Sequence, residues 1–410
     1  VRATMAHASA RCDARRIVAM ASRASRVDAS SSASSSASSS SSSLARKVHR
    51  VEKSFGRRVD ETPGARRERD DEGVHQGFRA RASFGVSRDD DGEVTLVTVS
   101  SDGTLTPAPP FADGVEGVTN GARAVLRAVN EGGGIRFRES LLAVNVLSNR
   151  IGSEIVVGCA AAPSAREADM DAFARAVFGN ESRVVGCAFR RKKRSKYVVG
   201  REFVTETMRI DREGDQRILR FAHVEGSFSN PNPAVAEATA NFLCDVCARE
   251  FVGTARTRFI ELFAGCGNHT VALAPYFPDG ATAVEIDEAL ARAATENFIR
   301  NGVENGARAV CAPAEEWIPA NVNTVDRART VLLVDPPRAG LGFDRRLLDV
   351  VSRSFDAVIY VACDHASLLR DLEEADIGFY ARGFTLKTLA CFDHAPTSER
   401  WIETVAILTK

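Results

Sequence analysis

A carboxylate in "VDPPRAG" and a thiol in "YVACDH" are the two residues late in this chain whose types and placement could do chemistry together. Each follows a short apolar run, "TVLLVDPP" and "AVIYVAC", that reads as a buried strand. Proline fixes its own backbone and restrains the residue before it, so Asp335 is predicted on a rigid, exposed corner. Cys363 is delivered to the mouth of the following strand, where a buried core thiol is the competing reading. Upstream, "ELFAGCGNHT" puts Gly265 and Gly267 in a tight strand-to-helix turn, and Glu285 follows Gly265 by 20 residues at the end of "AVEID". A carboxylate at that point holds ribose hydroxyls. The third glycine of a dinucleotide fingerprint is missing, with Thr270 in its place.

Dehydrogenases have no use for an Asp-Pro-Pro corner, whereas enzymes that bind S-adenosylmethionine beside a flipped-out base use one. One strand later, a thiol fits the methylation of a pyrimidine at C5. That carbon is a poor nucleophile until a thiolate adds to C6, and a base must afterwards remove the C5 proton so that the thiol can leave. Such a site needs a cysteine, a nearby carboxylate or imidazole and the cofactor's acid at one sheet edge. An ordinary thiol, with a pKa near ~8.5, needs help to ionise.

The elements that must position these groups follow from the rhythm of the chain. Beyond about residue 225, strand and helix patterns alternate: "RFIELFAGCGNHTVALAPYF", "ATAVEID", "EALARAATENFIRNG", then the two buried runs. This predicts a doubly wound, Rossmann-like α/β sheet with ligands at the carboxyl ends of its strands. Before it, "GFRARASFGV", "DDDGEVTLVTVSSDGT" and "ESLLAVNVLSNRIGSEIVVGCAAAP" read as strands with turns, and "SAREADMDAFARAVFG" as a helix capped by Ser164 and ended by Gly179. The expected organisation is a leader over 1–50, a linker over 51–75, a smaller α+β RNA-binding domain over 76–220 and a methyltransferase domain over 221–410.

The 410 residues are 44% hydrophobic and 26% charged, the balance of a globular protein. No apolar run is long enough to span a membrane as a helix. Nine scattered cysteines make no disulfide framework, and "CDVC" (Cys244, Cys247) reads as helix packing because no second pair accompanies it. Residues 1–50 hold nine Lys/Arg against Asp13 and Asp28, which leaves 45 basic against 52 acidic side chains, net −7, in 51–410. The Arg/Ser-rich start, with its serine tract from Ser30 to Ser43, has the composition of a chloroplast or mitochondrial transit peptide. In an acidic body the run "FRRKKRSK" is the natural place to meet RNA phosphates, a solvated face being the alternative.

Residues 220–410 resemble the RNA 5-methyluridine methyltransferases. "SFSNPNPAVAEA", "ELFAGCGNHTVALA", "AVEID", "LLVDPPRAGL", "YVAC" and "FDHAPTSERWIETVAIL" occur in that family's order. Within it the chain is most similar to the tRNA (uracil-5-)-methyltransferase branch, to which "GFRARASFGV" and "VLSNRIGSEIVV" also belong. The ribosomal-RNA branch adds a leading barrel and a four-cysteine cluster, while here only Cys12 precedes Cys159. The resemblance implies S-adenosylmethionine as cofactor and no metal. It also implies the T-loop uridine of tRNA as substrate, the T-arm as the surface bound, no membrane, and a monomer. It makes Cys363 the nucleophile and Glu403 the base, with Asn230, Phe263, Asn268, Glu285 and Asp335 on cofactor-site positions. Asn230 stands where the family has glutamine, "CDH" replaces "CNP", and one extra residue between Pro396 and Glu403 brings Glu399 within reach of the base position. Glu403 is preferred because it immediately precedes the apolar run "TVAILT". His269, His365 and His394 are read as surface or satisfied histidines. The alternatives are the same chemistry on organellar ribosomal RNA and an inactive RNA chaperone.

Overall fold

In the segment Thr330–Val334 every side chain is buried, and successive ones enter opposite cores, Val331 and Leu333 one, Leu332 and Val334 the other. Two-sided burial of this kind is what an inner parallel strand requires. The computed structural model describes residues 39–62, 77–99, 103–192, 196–398 and 400–410. These fall into two units, 77–206 with His223–Pro233, and 39–62 with Thr207–Ala222 and Ala234–Lys410.

The first unit contains β1 (Arg81–Arg88), β2 (Val94–Val99), β3 (Leu105–Ala108), β4 (Leu141–Ser148), β5 (Ile155–Ala161), β6 (Val184–Arg191) and β7 (Tyr197–Gly200), in the order β3-β2-β1-β4-β5-β6-β7. Neighbours are antiparallel except β5 and β6, between which the helix Glu167–Asn180 intervenes in the chain. That helix and Glu116–Asn130 bury Val118, Ala122, Val125 and Val129, and Met170, Phe173, Ala174 and Val177, in a core shared with Phe84, Phe137 and Phe189. The predicted Ser164 cap is incorrect: Arg166 occupies the cap position, no side chain caps the helix, and Gly179 lies inside it.

Three residues of the basic run are paired within their own unit. Arg190 Nη1 donates to Glu225 Oε1 at 2.9 Å, and Arg191 donates to the Ala165 carbonyl at 3.0 Å and to Glu167 at 2.8 Å. Lys196 donates to Glu202 at 2.8 Å and to the Glu225 carbonyl at 2.9 Å. A buried carboxylate such as Glu225 needs cationic partners, so these side chains serve the fold of their own unit. Of the remaining basic residues Lys192 is exposed, and Lys193 and Arg194 lie outside the described residues.

The expected boundary at residue 220 is also displaced. The division between units cuts through β8 (Phe203–Arg212) and β9 (Asp215–Val224), whose residues Met208, Ile210, Leu219 and Phe221 enter a core of the second unit. That unit is built on β10 (Arg258–Leu262), β11 (Ala281–Glu285), β12 (Ala307–Cys311), β13 (Thr330–Val334), β14 (Ala357–Ala362), β15 (Thr385–Phe392) and β16 (Glu403–Thr409). The order is β12-β11-β10-β13-β14-β16-β15; the first five strands are parallel and β16 is antiparallel to both its neighbours. The order reverses between β10 and β13, the switch point at which such sheets bind ligands.

The expected leader and linker need correction from Ser39 onward. Ser39–Phe55 is a helix whose Leu44, Val48, Val51 and Phe55, one stripe at helical spacing, pack into a core of the second unit. After it, Asp60 N–H donates to the Leu389 carbonyl at 2.8 Å and Cys391 N–H to the Glu61 carbonyl at 3.1 Å, so this segment pairs with the outer edge of β15. Residues 1–38, which hold most of the expected leader, lie outside the described residues, and so does the linker from 63. No helix among the described residues is long and apolar enough to cross a membrane.

Candidate active site

The turn after β10 is shaped by three left-handed backbones. Phe263 has φ 63°, and Gly265 and Gly267 have φ 56° and 80°. For phenylalanine this conformation is strained, on the order of 1–3 kcal/mol, and such strain collects at ligand sites. A Cβ on Gly267 would lie 2.7 Å from the Phe298 ring, so close helix packing also requires glycine there. At Gly265 a Cβ would point into open space, and glycine leaves the backbone accessible to a ligand.

Glu285, at the end of β11, accepts from Gly265 N–H and from Asp287 N–H, each at 2.8 Å. Both oxygens are fixed in place, yet each keeps a lone pair for another donor. Glu261 within β10 accepts from Thr270 N–H at 2.9 Å and from the Thr270 hydroxyl, tying strand to helix. Burial pushes its carboxyl up to about 8. Phe263 lies half-buried, edge-on to Phe343 at 6.3 Å, and Asn268 Oδ1 accepts from the Cys266 thiol at 3.3 Å. An oriented carboxylate for a ribose diol, an aromatic ring and an open glycine backbone fit the nucleoside end of S-adenosylmethionine. Asn230 belongs to the first unit, where its Oδ1 accepts from Asn232 N–H at 3.0 Å. That loop is held by Arg81, which donates to the Ser227 and Ser229 carbonyls at 3.2 Å.

Farther along the same edge the strands deliver the reacting groups. Asp335 follows β13 and Cys363 follows β14. Because β16 runs the other way, its first residue, Glu403, arrives at the edge that the parallel strands reach last, with Ala362 paired to Thr404 and Phe392 to Glu403. Just past β15, His394 Nε2 lies 2.9 Å from Glu403 Oε1. The predicted Cys363, Asp335 and Glu403 are therefore brought together, and His394 and His269, to which the sequence assigned no role, join them. Asp364, the unexpected residue after Cys363, caps the helix His365–Glu373 by accepting from Ala366 N–H at 3.2 Å. The Asp-Pro-Pro loop is fixed from behind, with Asp371 accepting from Tyr360 Oη and from Leu341 N–H, both at 2.6 Å. Arg338 of that loop stacks 3.8 Å from the centroid of Trp401.

The charges at this edge are unequal. Burial pushes Asp335 well above the usual carboxylate range, and the charges of Glu403 and Glu261 add to the push. Burial would also lift Glu403, but the charge and hydrogen bond of His394, with His269 behind, hold it below its ordinary value. Burial alone would raise both carboxyls, so the pair is set apart by its neighbours: Asp335 is shifted up and Glu403 down. Burial pushes the Cys363 thiol up to about 11, Asp335 adding to the shift, Arg338 opposing it and Glu403 adding a smaller part. A thiol at that value is ionised in only about one molecule in ten thousand at pH 7. Iodoacetamide labelling of the Cys363 peptide should therefore rise about tenfold per pH unit from pH 7 to 10. A plateau already at pH 8–9, read by peptide mass spectrometry, would contradict the assigned environment.

A cavity of about 400 Å³ opens at the opposite edge of the sheet, by Arg258, Asp279, Arg308 and Trp317, and none of the residues above lines it. Glu399, the rival base, lies outside the described residues.

The family model described as tRNA (Uracil-5-)-methyltransferase matches residues 176–410. A tRNA/tmRNA (uracil-C(5))-methyltransferase of Nitratiruptor sp. is 29% identical over 370 residues, 86% of this chain and 90% of the relative. One from Sulfurovum sp. is 32% identical over 230 residues, 54% of this chain and 57% of the relative. The Pyrococcus abyssi tRNA (uracil-54, C5)-methyltransferase, solved with S-adenosyl-L-homocysteine, shares the fold with a TM-score of 0.64 at 16% identity, over 90% of this chain and 83% of that one. A match that spans more than half of the chain and all of the edge just described settles its kinship: the chain belongs to the tRNA (uracil-5-)-methyltransferase family, S-adenosylmethionine-dependent RNA methyltransferases.

Proposed function

We propose that this enzyme methylates C5 of the T-loop uridine of tRNA, the position named uracil-54 for the Pyrococcus enzyme. The observation that carries the mechanism is the meeting at one sheet edge of a half-buried thiol and an ionised carboxylate backed by imidazole. Glu285, Phe263 and the Gly265 turn would hold the cofactor, which when bound would supply an electrophilic methyl group on a sulfonium. Cys363 gives up its proton to solvent and its sulfur adds to C6 of the uracil, the C5–C6 π electrons passing to O4 as an enolate that makes C5 nucleophilic. Arg338 favours the thiolate, and its stack on Trp401 keeps it in place. Once C5 carries the methyl, Glu403 takes the C5 proton, the C6–S bond breaks, and the ring regains its double bond. His394 steadies the carboxylate and is the route by which that proton can leave.

The test is methylation of tRNA and ribosomal-RNA transcripts, with the modified nucleotide mapped by mass spectrometry. The expected product is a single 5-methyluridine in the T-loop, lost when that uridine is replaced by cytidine. A product confined to ribosomal RNA would overturn the substrate.

A second proposal concerns the Arg/Ser-rich stretch before Ser39, which we read as directing the chain to a plastid or mitochondrion on its composition. A fluorescent fusion of residues 1–38 is expected in one of those organelles, and a diffuse cytosolic signal would count against it.

A further inference from the structure

We propose that the amino-terminal helix Ser39–Phe55 is a working part of the catalytic edge, and that Lys47 is a positioning residue that holds His394 against Glu403. The proposal rests on the reading of Glu403 as the base.

Lys47 lies on the stripe that packs inward and is fully buried. Its Nζ donates to Asp393 Oδ1 at 2.8 Å and to the Ala395 carbonyl at 2.9 Å. Those two residues bracket His394, so one ammonium holds the side chain before it and the backbone carbonyl after it, on either side of the imidazole that meets Glu403 at 2.9 Å. Asp393 is itself buried, and its side chain has Lys47 as its cation. A buried ion pair is a poor way to add stability, since apolar residues of similar volume commonly serve as well or better. What it supplies is a fixed geometry. The connection from β15 to β16 is a loop through a polar stretch, and Lys47 ties its start to the helix Ser39–Phe55. Glu403 is also faced by His269, Asp335 and Cys363, and the charges of His394 and His269 oppose the burial that would otherwise raise it. Loosening the turn should leave attack and methyl transfer possible and slow the proton removal that frees the product.

The experiment uses the full chain with a T-arm-containing tRNA transcript and reads the enzyme–RNA complex that survives denaturing gels, beside kcat, KM and melting temperature. Lys47→Met and, from the other side of the same pair, Asp393→Asn are compared with Glu403→Gln and with Arg382→Met. The last breaks the Arg382–Asp349 ion pair elsewhere in the unit. Lys47→Met and Asp393→Asn are expected to raise the trapped fraction about fivefold or more and to lower kcat about tenfold with little change in KM, and Lys47→Arg to recover most of the loss. Arg382→Met should lower the melting temperature without trapping RNA. Wild-type turnover in both variants, or loss of activity without trapping, overturns the proposal while trapping by Glu403→Gln shows that the base reading still stands. Failure of Glu403→Gln itself to trap RNA overturns the base reading and this proposal with it.

Discussion

Cys363→Ala is expected to reduce methyl transfer to below about 1% of wild type while cofactor affinity stays within about twofold. The reason lies in how the edge divides its work. Glu285, Gly265 and Glu261 are held by bonds among themselves and with Asp287 and Thr270, none of which involves Cys363. Among the described residues no other thiol is placed to substitute. Cys266 and Cys391 are buried, and burial pushes both up to about 12. Cys311 is exposed but ends β12, at the far side of the strand order from β14. Tritium release from uridine-labelled tRNA measures turnover, and titration with S-adenosylhomocysteine measures binding. Residual turnover of several per cent would remove Cys363 from the nucleophile's place.

Glu403→Gln is expected to do the opposite of simple inactivation: attack and methylation proceed, elimination stops, and a methylated covalent enzyme–RNA complex accumulates. Glutamine keeps the shape of the side chain and an oxygen for His394, but it cannot accept the C5 proton. Turnover should fall on the order of 10²–10⁴-fold, the usual worth of a positioned base. A second readout follows from the charges. Glu403 is one of two carboxylates that raise the Cys363 thiol, so its neutralisation should move iodoacetamide labelling of Cys363 to somewhat lower pH. If Glu399→Gln traps RNA and Glu403→Gln does not, the extra residue in the β15–β16 connection has shifted the register of the site.

The sheet edge was legible in the sequence because its signals are local. Short apolar runs ending in Asp335 and Cys363, a glycine turn, and an acid 20 residues after Gly265 each report a strand end without knowledge of its neighbours. His394 was not legible. Its partnership with Glu403 exists only because β15 and β16 pair in the register that sets Phe392 opposite Glu403, and that register is a tertiary fact. The downward shift of Glu403 has the same origin, since burial alone would raise it and only the neighbouring imidazoles lower it. Arg190 and Arg191 show the limit of charge counting: a basic run reads alike whether its side chains face RNA or, as these two do, Glu225 and Glu167 of their own unit. The helix Ser39–Phe55 was hidden by its surroundings. A serine tract that runs into its first turn and charged residues on its outer face give the composition of a leader, while the stripe of Leu44, Val48, Val51 and Phe55 carries the fold.

The most direct measurement is the chemical identity of the bond between enzyme and RNA. Glu403→Gln incubated with tRNA and S-adenosylmethionine, digested with protease and nuclease and sequenced by mass spectrometry, should yield one cross-linked peptide. The account predicts a methylated uridine joined through its ring to the sulfur of Cys363. A nucleotide on any other residue, or a stalled enzyme with no covalent nucleotide at all, would contradict it.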